Sequence, residues 1–217
     1  MTYNPMNTSL IQEAKIRQIK TINGLAPLVF QAGFAQEIFF DSKIESRIFK
    51  DVFTAIKKEN TSITLVGMPG SGKTHIGKEL AFKLGYKFVD TDKEIEKEEG
   101  MSVKEIFKLK SEKYFRNKEE ELVKKLAFKK KLVISTGGGM INNPVIMKYL
   151  AFNSKIVCLH RRMSIHLFDG RRPLLKKPSD YYKLKRIRDP LYKKYSDLRI
   201  ENNFESSTAV ERIVRKL

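Results

Sequence analysis

The strongest chemical signal is an eight-residue run, Gly67-Met68-Pro69-Gly70-Ser71-Gly72-Lys73-Thr74, which fits G-x-x-x-x-G-K-[ST] in full. Small residues let consecutive backbone N–H groups turn inward around a phosphate. A helix that follows points its positive end at the same place. Lys73 then reaches the β- and γ-phosphates, and Thr74 places a hydroxyl on Mg²⁺. The expected ATP contacts are Gly70, Ser71, Gly72, Lys73, Thr74 and the backbone N–H of His75. ATP fits better than GTP, because no Asn/Thr-Lys-x-Asp guanine-reading motif is present. The apolar run ending in Asp-Glu that many P-loop ATPases carry is also missing. With the short length, this favours a small-molecule kinase.

An acceptor needs its own groups, and five clusters offer them. Asp90-Thr91-Asp92 follows an apolar run, where two carboxylates can divide the work. One helps to hold Mg²⁺ and the other orients or deprotonates a hydroxyl, unless both simply cap the next helix. Arg116 and Glu119 lie three apart, so on a helix they share a face. A guanidinium held by a carboxylate is a pre-oriented fork for an anionic ligand. Gly137-Gly138-Gly139 ends another apolar run and lets a ligand approach the backbone closely. Arg171-Arg172-Pro173 and Arg188-Asp189-Pro190 add cations suited to a transferring phosphoryl group. The histidines His75, His160 and His166 show no metal-site spacing.

These residues need a frame, and the chain supplies an alternating one. Short β-type runs at 62–67, 86–92, 131–139, 155–160 and 197–202 alternate with helical stretches. The helical stretches run to Leu84, from a Ser102/Glu105 capping box through Leu126, and over 143–151, 179–195 and 207–217. Such alternation predicts an α/β fold with a parallel sheet covered on both faces, with ligands beyond the carboxyl ends of the strands. Residues 1–60 read differently, as a helical extension. Apolar residues recur at helical spacing through Ile16, Ile19 and Ile22, over 24–40, and at Ile44, Ile48, Val52 and Ile56. Glu59-Asn60 reads as a polar connector, dividing an extension (1–60) from a catalytic domain (61–217).

Composition sets the outer limits. The chain has 217 residues, 41% hydrophobic, which excludes a disordered or collagenous polymer. One cysteine, Cys158, cannot form an internal disulfide. The start lacks the order of a signal peptide, and no apolar run reaches the ~18 residues of a membrane span. A cytoplasmic monomer is expected, with no membrane and no nucleic-acid partner. The net charge of +18 invites a nucleic-acid reading, and +16 of it lies after residue 60. No nucleic-acid-binding motif or aromatic-plus-basic platform accompanies it, so the lysines read as solvated surface.

As a set, GMPGSGKTHIG, FVDTD, YFRNKE, STGGG, RRPLL and RDPLY resemble the shikimate kinase family over roughly residues 61–217. The resemblance implies a nucleoside-monophosphate-kinase-like fold with a five-stranded parallel sheet. It implies transfer of the ATP γ-phosphate to the 3-hydroxyl of shikimate, on the route to chorismate and aromatic amino acids. It further implies Asp92 as base and hydroxyl contact, and Asp90 as a support for Mg²⁺ through water. Arg116 and Arg188 would grip the substrate carboxylate, with Glu119 orienting Arg116. Gly138, flanked by Gly137 and Gly139, would meet shikimate through its backbone. Arg172 would be the lid arginine at the γ-phosphate. A kinase of hydroxy acids such as gluconate is the second enzyme reading, against which the FRxxE, GGG and RPLL motifs weigh. A catalytically dead remnant is a third, against which Lys73, Asp92, Arg116 and Arg188 weigh.

Residues 1–40 resemble something else. Tyr3-Asn4-Pro5, Thr8, Asn23-Gly24-Leu25 and Leu28-Val29-Phe30-Gln31-Ala32 are similar to the carboxyl-terminal end of shikimate dehydrogenase, in which the Gln of the last helix touches shikimate. No NADP-binding fingerprint accompanies them, so no dehydrogenase activity is expected. The resemblance implies the tail of a dehydrogenase–kinase fusion; an unrelated helical extension packing on the kinase is the alternative.

Overall fold

The computed structural model describes residues 4–162, 177–203 and 205–217. Five strands form one sheet: β1 (Ser62–Val66), β2 (Lys87–Asp90), β3 (Leu132–Ser135), β4 (Ser154–His160) and β5 (Leu198–Glu201). Their order is β2-β3-β1-β4-β5, and every neighbouring pair is parallel. Central strands β1 and β3 are buried along their whole length, as strands covered on both faces must be. Ile63, Leu65, Val133 and Val157 face a core shared with α4 (Lys73–Leu84) and α10 (Ser206–Arg215). Val66, Ile134, Ile156 and Cys158 face the other core. That side is covered by α5 (Thr91–Glu99), α6 (Val103–Leu109), α7 (Glu112–Leu126), α8 (Pro144–Leu150) and α9 (Pro178–Tyr195). From β1 the chain crosses over β3 to reach β2; from β3 it crosses over β1 to reach β4. The two crossings diverge between β1 and β3, which opens a crevice at their carboxyl ends.

The expected single helix after Ser102 is two helices. The capping box is present, with Ser102 and Glu105 bonded reciprocally, but it opens only α6. Ser111 has φ +107, and its side chain accepts from the Tyr114 N–H at 3.3 Å. The hydroxyl offers the backbone a cap in place of a continuing helix, so α7 starts afresh. The resulting corner lets α7 run back across the sheet and carry Arg116 towards β3.

The helical reading of residues 1–60 holds for α1 (Ser9–Ile16), α2 (Leu25–Phe40) and α3 (Ser46–Asn60) but not for Ile19 and Ile22, which lie outside α1. Gln18 takes φ +60, its N–H donates to Lys15 O, and the Ile19 N–H donates to Ala14 O. This is a Schellman closure made without glycine. The expected connector Glu59-Asn60 is the last turn of α3, leaving only Thr61 before β1.

Residues 4–12 dock at the amino-terminal end of β4, opposite the crevice. The Met6 N–H donates to Asn153 Oδ1 at 2.8 Å, and the Asn7 N–H donates to Phe152 O at 2.9 Å. Asn7 Nδ2 donates to Ala151 O, and Gln12 Nε2 to Lys148 O. Met6, Leu25, Val29 and Phe49 form a separate small core. Helix α2 nonetheless leaves Phe34, Ile38 and Phe39 exposed. Among the described residues no helix is long and apolar enough to cross a membrane.

Candidate active site

The crevice holds a cavity of about 590 Å³ whose walls come from the phosphate loop, α4, β2, α5, α6, α7, the end of β3 with the loop after it, and α9. Gly70, Gly72, Lys73, Thr74, His75, Asp90, Asp92, Arg116, Glu119, Gly137, Gly138, Gly139 and Arg188 all line it. Of the described residues expected to bind ATP, only Ser71 is absent from the wall. It is buried within the loop. Arg171, Arg172 and His166 lie outside the described residues.

Strand β1 ends at Val66 and the chain turns at once into the phosphate loop. Gly72 holds φ +89 and is the N-cap of α4. Among the described residues no side chain caps this end, which leaves the first N–H groups of α4 for an anion. Lys73 is buried, and its Nζ donates to Gly67 O at 2.9 Å and Met68 O at 3.1 Å. An ammonium has three donors, so one is left for a ligand oxygen. Burial pulls Lys73 down to about 8, Arg188 pulls the same way, and Asp92 opposes.

Thr74 Oγ1 donates to Asp90 Oδ2 at 2.7 Å. A hydroxyl and a carboxylate thus stand together beside the loop, an oxygen pair suited to a hard cation that keeps most of its waters. Among the described residues no group of three or more His, Cys, Asp or Glu could hold a metal. Asp90 also caps α5, with Oδ1 accepting the Lys93 N–H at 3.4 Å.

Asp92 sits two residues on, in the first turn of α5. Burial pushes its carboxyl up to about 6, aided by Asp90 and opposed by Lys73 and Arg116. Its Oδ1 is buried without a hydrogen-bond partner among the described residues. Arg116 reaches in from α7: Nη1 donates to Glu119 Oε2 at 2.8 Å, and Nη2 to Glu112 Oε1 at 2.7 Å. Glu119 is fully buried, which pushes it up to about 7 against the pull of Arg116. Arg188, from α9, is buried with Nε unpartnered among the described residues. Two carboxylates, Asp92 and Glu119, and one guanidinium, Arg188, thus line the cavity with a buried polar atom unpartnered among the described residues. Buried polar groups in this state are where a ligand is expected.

The glycines after β3 make this packing feasible. A β-carbon at Gly137 would lie 2.5 Å from Asp92 Oδ1 and 3.0 Å from Glu119 Oε1. One at Gly139 would overlap the Arg116 guanidinium. Close approach is therefore required first by the protein's own side chains. Gly138 approaches Pro69 of the phosphate loop and Arg188.

A family model for shikimate kinase matches residues 69–217. The chain belongs to the shikimate kinase family. The shikimate kinase of Moorella thermoacetica is 38% identical over 161 residues, 71% of this chain and 92% of the relative. That of Sulfurihydrogenibium is 39% identical over 163 residues, 72% of this chain and 97% of the relative. The solved shikimate kinase from Acinetobacter baumannii in complex with shikimate is 32% identical with a TM-score of 0.68. It covers 75% of this chain and 96% of its own.

Within this shikimate kinase fold, several groups at the site escaped the sequence reading. Thr91 is fully buried; its Oγ1 donates to Ser135 O at 3.2 Å and accepts from the Gly137 N–H at 3.0 Å. It ties the end of β2 to the glycine loop. Its only signal was its place between two aspartates. Glu112 is a second carboxylate on Arg116, one turn from the FRxxE motif. Asn202, beyond β5, donates from Nδ2 to Ser71 O at 2.9 Å. Val103, Phe107 and Phe115 supply an apolar wall, and Arg116 lies over both rings at 5.9 and 5.6 Å.

Proposed function

We propose that this chain transfers the γ-phosphoryl group of ATP to the 3-hydroxyl of shikimate, giving shikimate 3-phosphate and ADP. One observation carries the reading: the part-buried carboxylate of Asp92, whose Oδ1 is buried, faces the phosphate loop across one cavity with two guanidiniums, part-buried Arg116 and buried Arg188. A carboxylated polyol fits that set. Arg116 and Arg188 grip its carboxylate, while Asp92 meets its hydroxyls. Glu119 and Glu112 hold the Arg116 fork, which makes them positioning residues.

The hydroxyl oxygen attacks the γ-phosphorus. A new O–P bond forms, the bond to the β–γ bridging oxygen breaks, and ADP leaves. The hydroxyl proton passes to Asp92. With its carboxyl raised to about 6, Asp92 is mostly ionised at neutral pH yet more basic than an ordinary aspartate. Lys73 and the N–H groups opening α4 stabilise charge on the phosphates. Thr74 and, through water, Asp90 would hold Mg²⁺, which would supply positive charge to neutralise the phosphates. Arg172 is retained as the lid arginine on its motif alone.

The domain reading is likewise proposed: a catalytic domain over 61–217 with a helical extension over 1–60. Gln31 is exposed on α2, and among the described residues none of the extension lines the cavity. Its likeness to the end of shikimate dehydrogenase supports a fused origin. The exposed apolar residues of α2 are in keeping with that.

An ATP-consumption assay with shikimate, gluconate and no acceptor tests the central reading. Turnover is expected with shikimate alone. Folded protein without shikimate-dependent turnover would overturn it.

A further inference from the structure

The phosphate loop is held from outside by a residue distant in sequence. Asn202 follows β5 and is 6% exposed. Its backbone N–H donates to His160 O at 2.7 Å, which roots it in the sheet. Its side chain then reaches across to the loop, with Nδ2 donating to Ser71 O at 2.9 Å over a separation of 131 residues. The approach is close: a β-carbon at Gly72 would lie 2.5 Å from Asn202 Nδ2.

We propose that Asn202 is a positioning residue that aims the phosphate loop. The Ser71–Gly72 peptide is planar and trans, so its C=O and N–H point in opposite directions. Anchoring Ser71 O on Asn202 turns the Gly72 N–H to the far side of the peptide, towards the concave side of the loop. That N–H joins the free N–H groups at the start of α4, and Gly72 is the N-cap of that helix. Glycine at 72 thus serves two ends. It permits φ +89, and it leaves room for the amide that fixes its own N–H. The amide donates without adding charge, whereas a carboxylate in the same place would face a carbonyl and repel the phosphates. The ligand served is the polyphosphate of a nucleoside di- or triphosphate. The proposal therefore rests on the ATP-dependent reading above, and it makes no claim on the shikimate side.

The test uses the full chain and three binding probes: MgADP, tripolyphosphate and shikimate, each titrated calorimetrically. Asn202→Ala is expected to weaken MgADP and tripolyphosphate about tenfold each, because one buried carbonyl loses its donor and one loop N–H loses its aim. Shikimate affinity stays within about twofold. Asn202→Asp keeps the shape, removes the donor and weakens both phosphate probes further. Gly72→Ala attacks the same bond from the other side and is expected to lose affinity similarly. The double variant Gly72→Ala/Asn202→Ala loses less than the sum of the two, since the new methyl then has space. Unchanged MgADP and tripolyphosphate affinity in Asn202→Asp would overturn the proposal. So would equal losses for shikimate and the phosphate probes, which mark general loosening. If Asn202→Ala does not fold, Asn202→Asp and Gly72→Ala decide the matter by the same criteria. Wild-type protein that binds neither phosphate probe would overturn the kinase reading and this proposal with it. Wild-type binding with unaltered variants overturns this proposal alone.

Discussion

Gly137 and Asp92 are packed so that a single added methyl cannot fit: a β-carbon at 137 would stand 2.5 Å from Asp92 Oδ1. The glycine at the end of β3 therefore sets where the proposed base sits. Gly137→Ala should push Asp92, and with it Glu119, out of line. Shifts near 1 Å cost catalysis on the order of 100-fold. The expected result is a fall in kcat of that order, with the protein still folded by circular dichroism. A variant with normal kcat would detach Asp92 from the role assigned to it.

Arg116 is held by two carboxylates and pointed into the cavity, so its loss should act mainly on substrate binding. Arg116→Ala is expected to raise the KM for shikimate roughly 10- to 100-fold and leave the KM for ATP nearly unchanged. Arg116→Lys should not rescue, because an ammonium cannot reproduce a planar fork held at both Glu112 and Glu119. Steady-state kinetics with each substrate varied in turn separate these effects.

The rate should depend on pH through two groups of the free enzyme. Asp92 must be ionised, and its carboxyl is raised to about 6, so kcat/KM falls as pH drops through that value. Lys73 must be charged, and burial brings it to about 8, so kcat/KM for ATP falls again above that. The expected profile is a bell between about 6 and about 8.

Stability follows the same carboxyl with the opposite sense. Between its ordinary value of 3.8 and about 6, the folded protein holds the Asp92 proton more tightly than the unfolded chain does. Stability from this group is thus gained as pH falls through that window and is lost above it. Asp92→Asn should abolish turnover and, at pH 7.5, stabilise the fold by on the order of 2 kcal/mol. At pH 4 most of that gain should vanish, as thermal melts at both pH values would record.

Asn153 joins the extension to the kinase. It is 2% exposed, its Oδ1 accepts from Met6 N–H, and its Nδ2 donates to Asn4 Oδ1. Asn153→Ala leaves a buried N–H unpaired, at a cost of about 1–3 kcal/mol. The contact lies at the end of the sheet away from the cavity. The melting temperature should therefore drop while kcat and both KM values hold.

The catalytic half of this picture was largely legible beforehand. Motifs such as G-x-x-x-x-G-K-[ST] and Arg116-x-x-Glu119 are local, and their chemistry follows from residue type and spacing. Strand–helix alternation gave the parallel sheet, because fully buried strands need continuous apolar runs. The break at Ser111 and the end of α1 at Gln18 were not legible, since neither turn uses the glycine or proline that announces one. Asn202 and Asn153 were hidden for a different reason. Each acts through a hydrogen bond to a residue more than 100 positions away, and such pairs leave no periodic trace.

The central claim is chemical, and the most direct measurement is ³¹P NMR of the products formed from ATP and shikimate. The account predicts ADP and one phosphate monoester in equal amounts, with the ester phosphorus coupled to the proton on carbon 3. Inorganic phosphate released at the same rate with and without shikimate would contradict it, as would an ester on another hydroxyl.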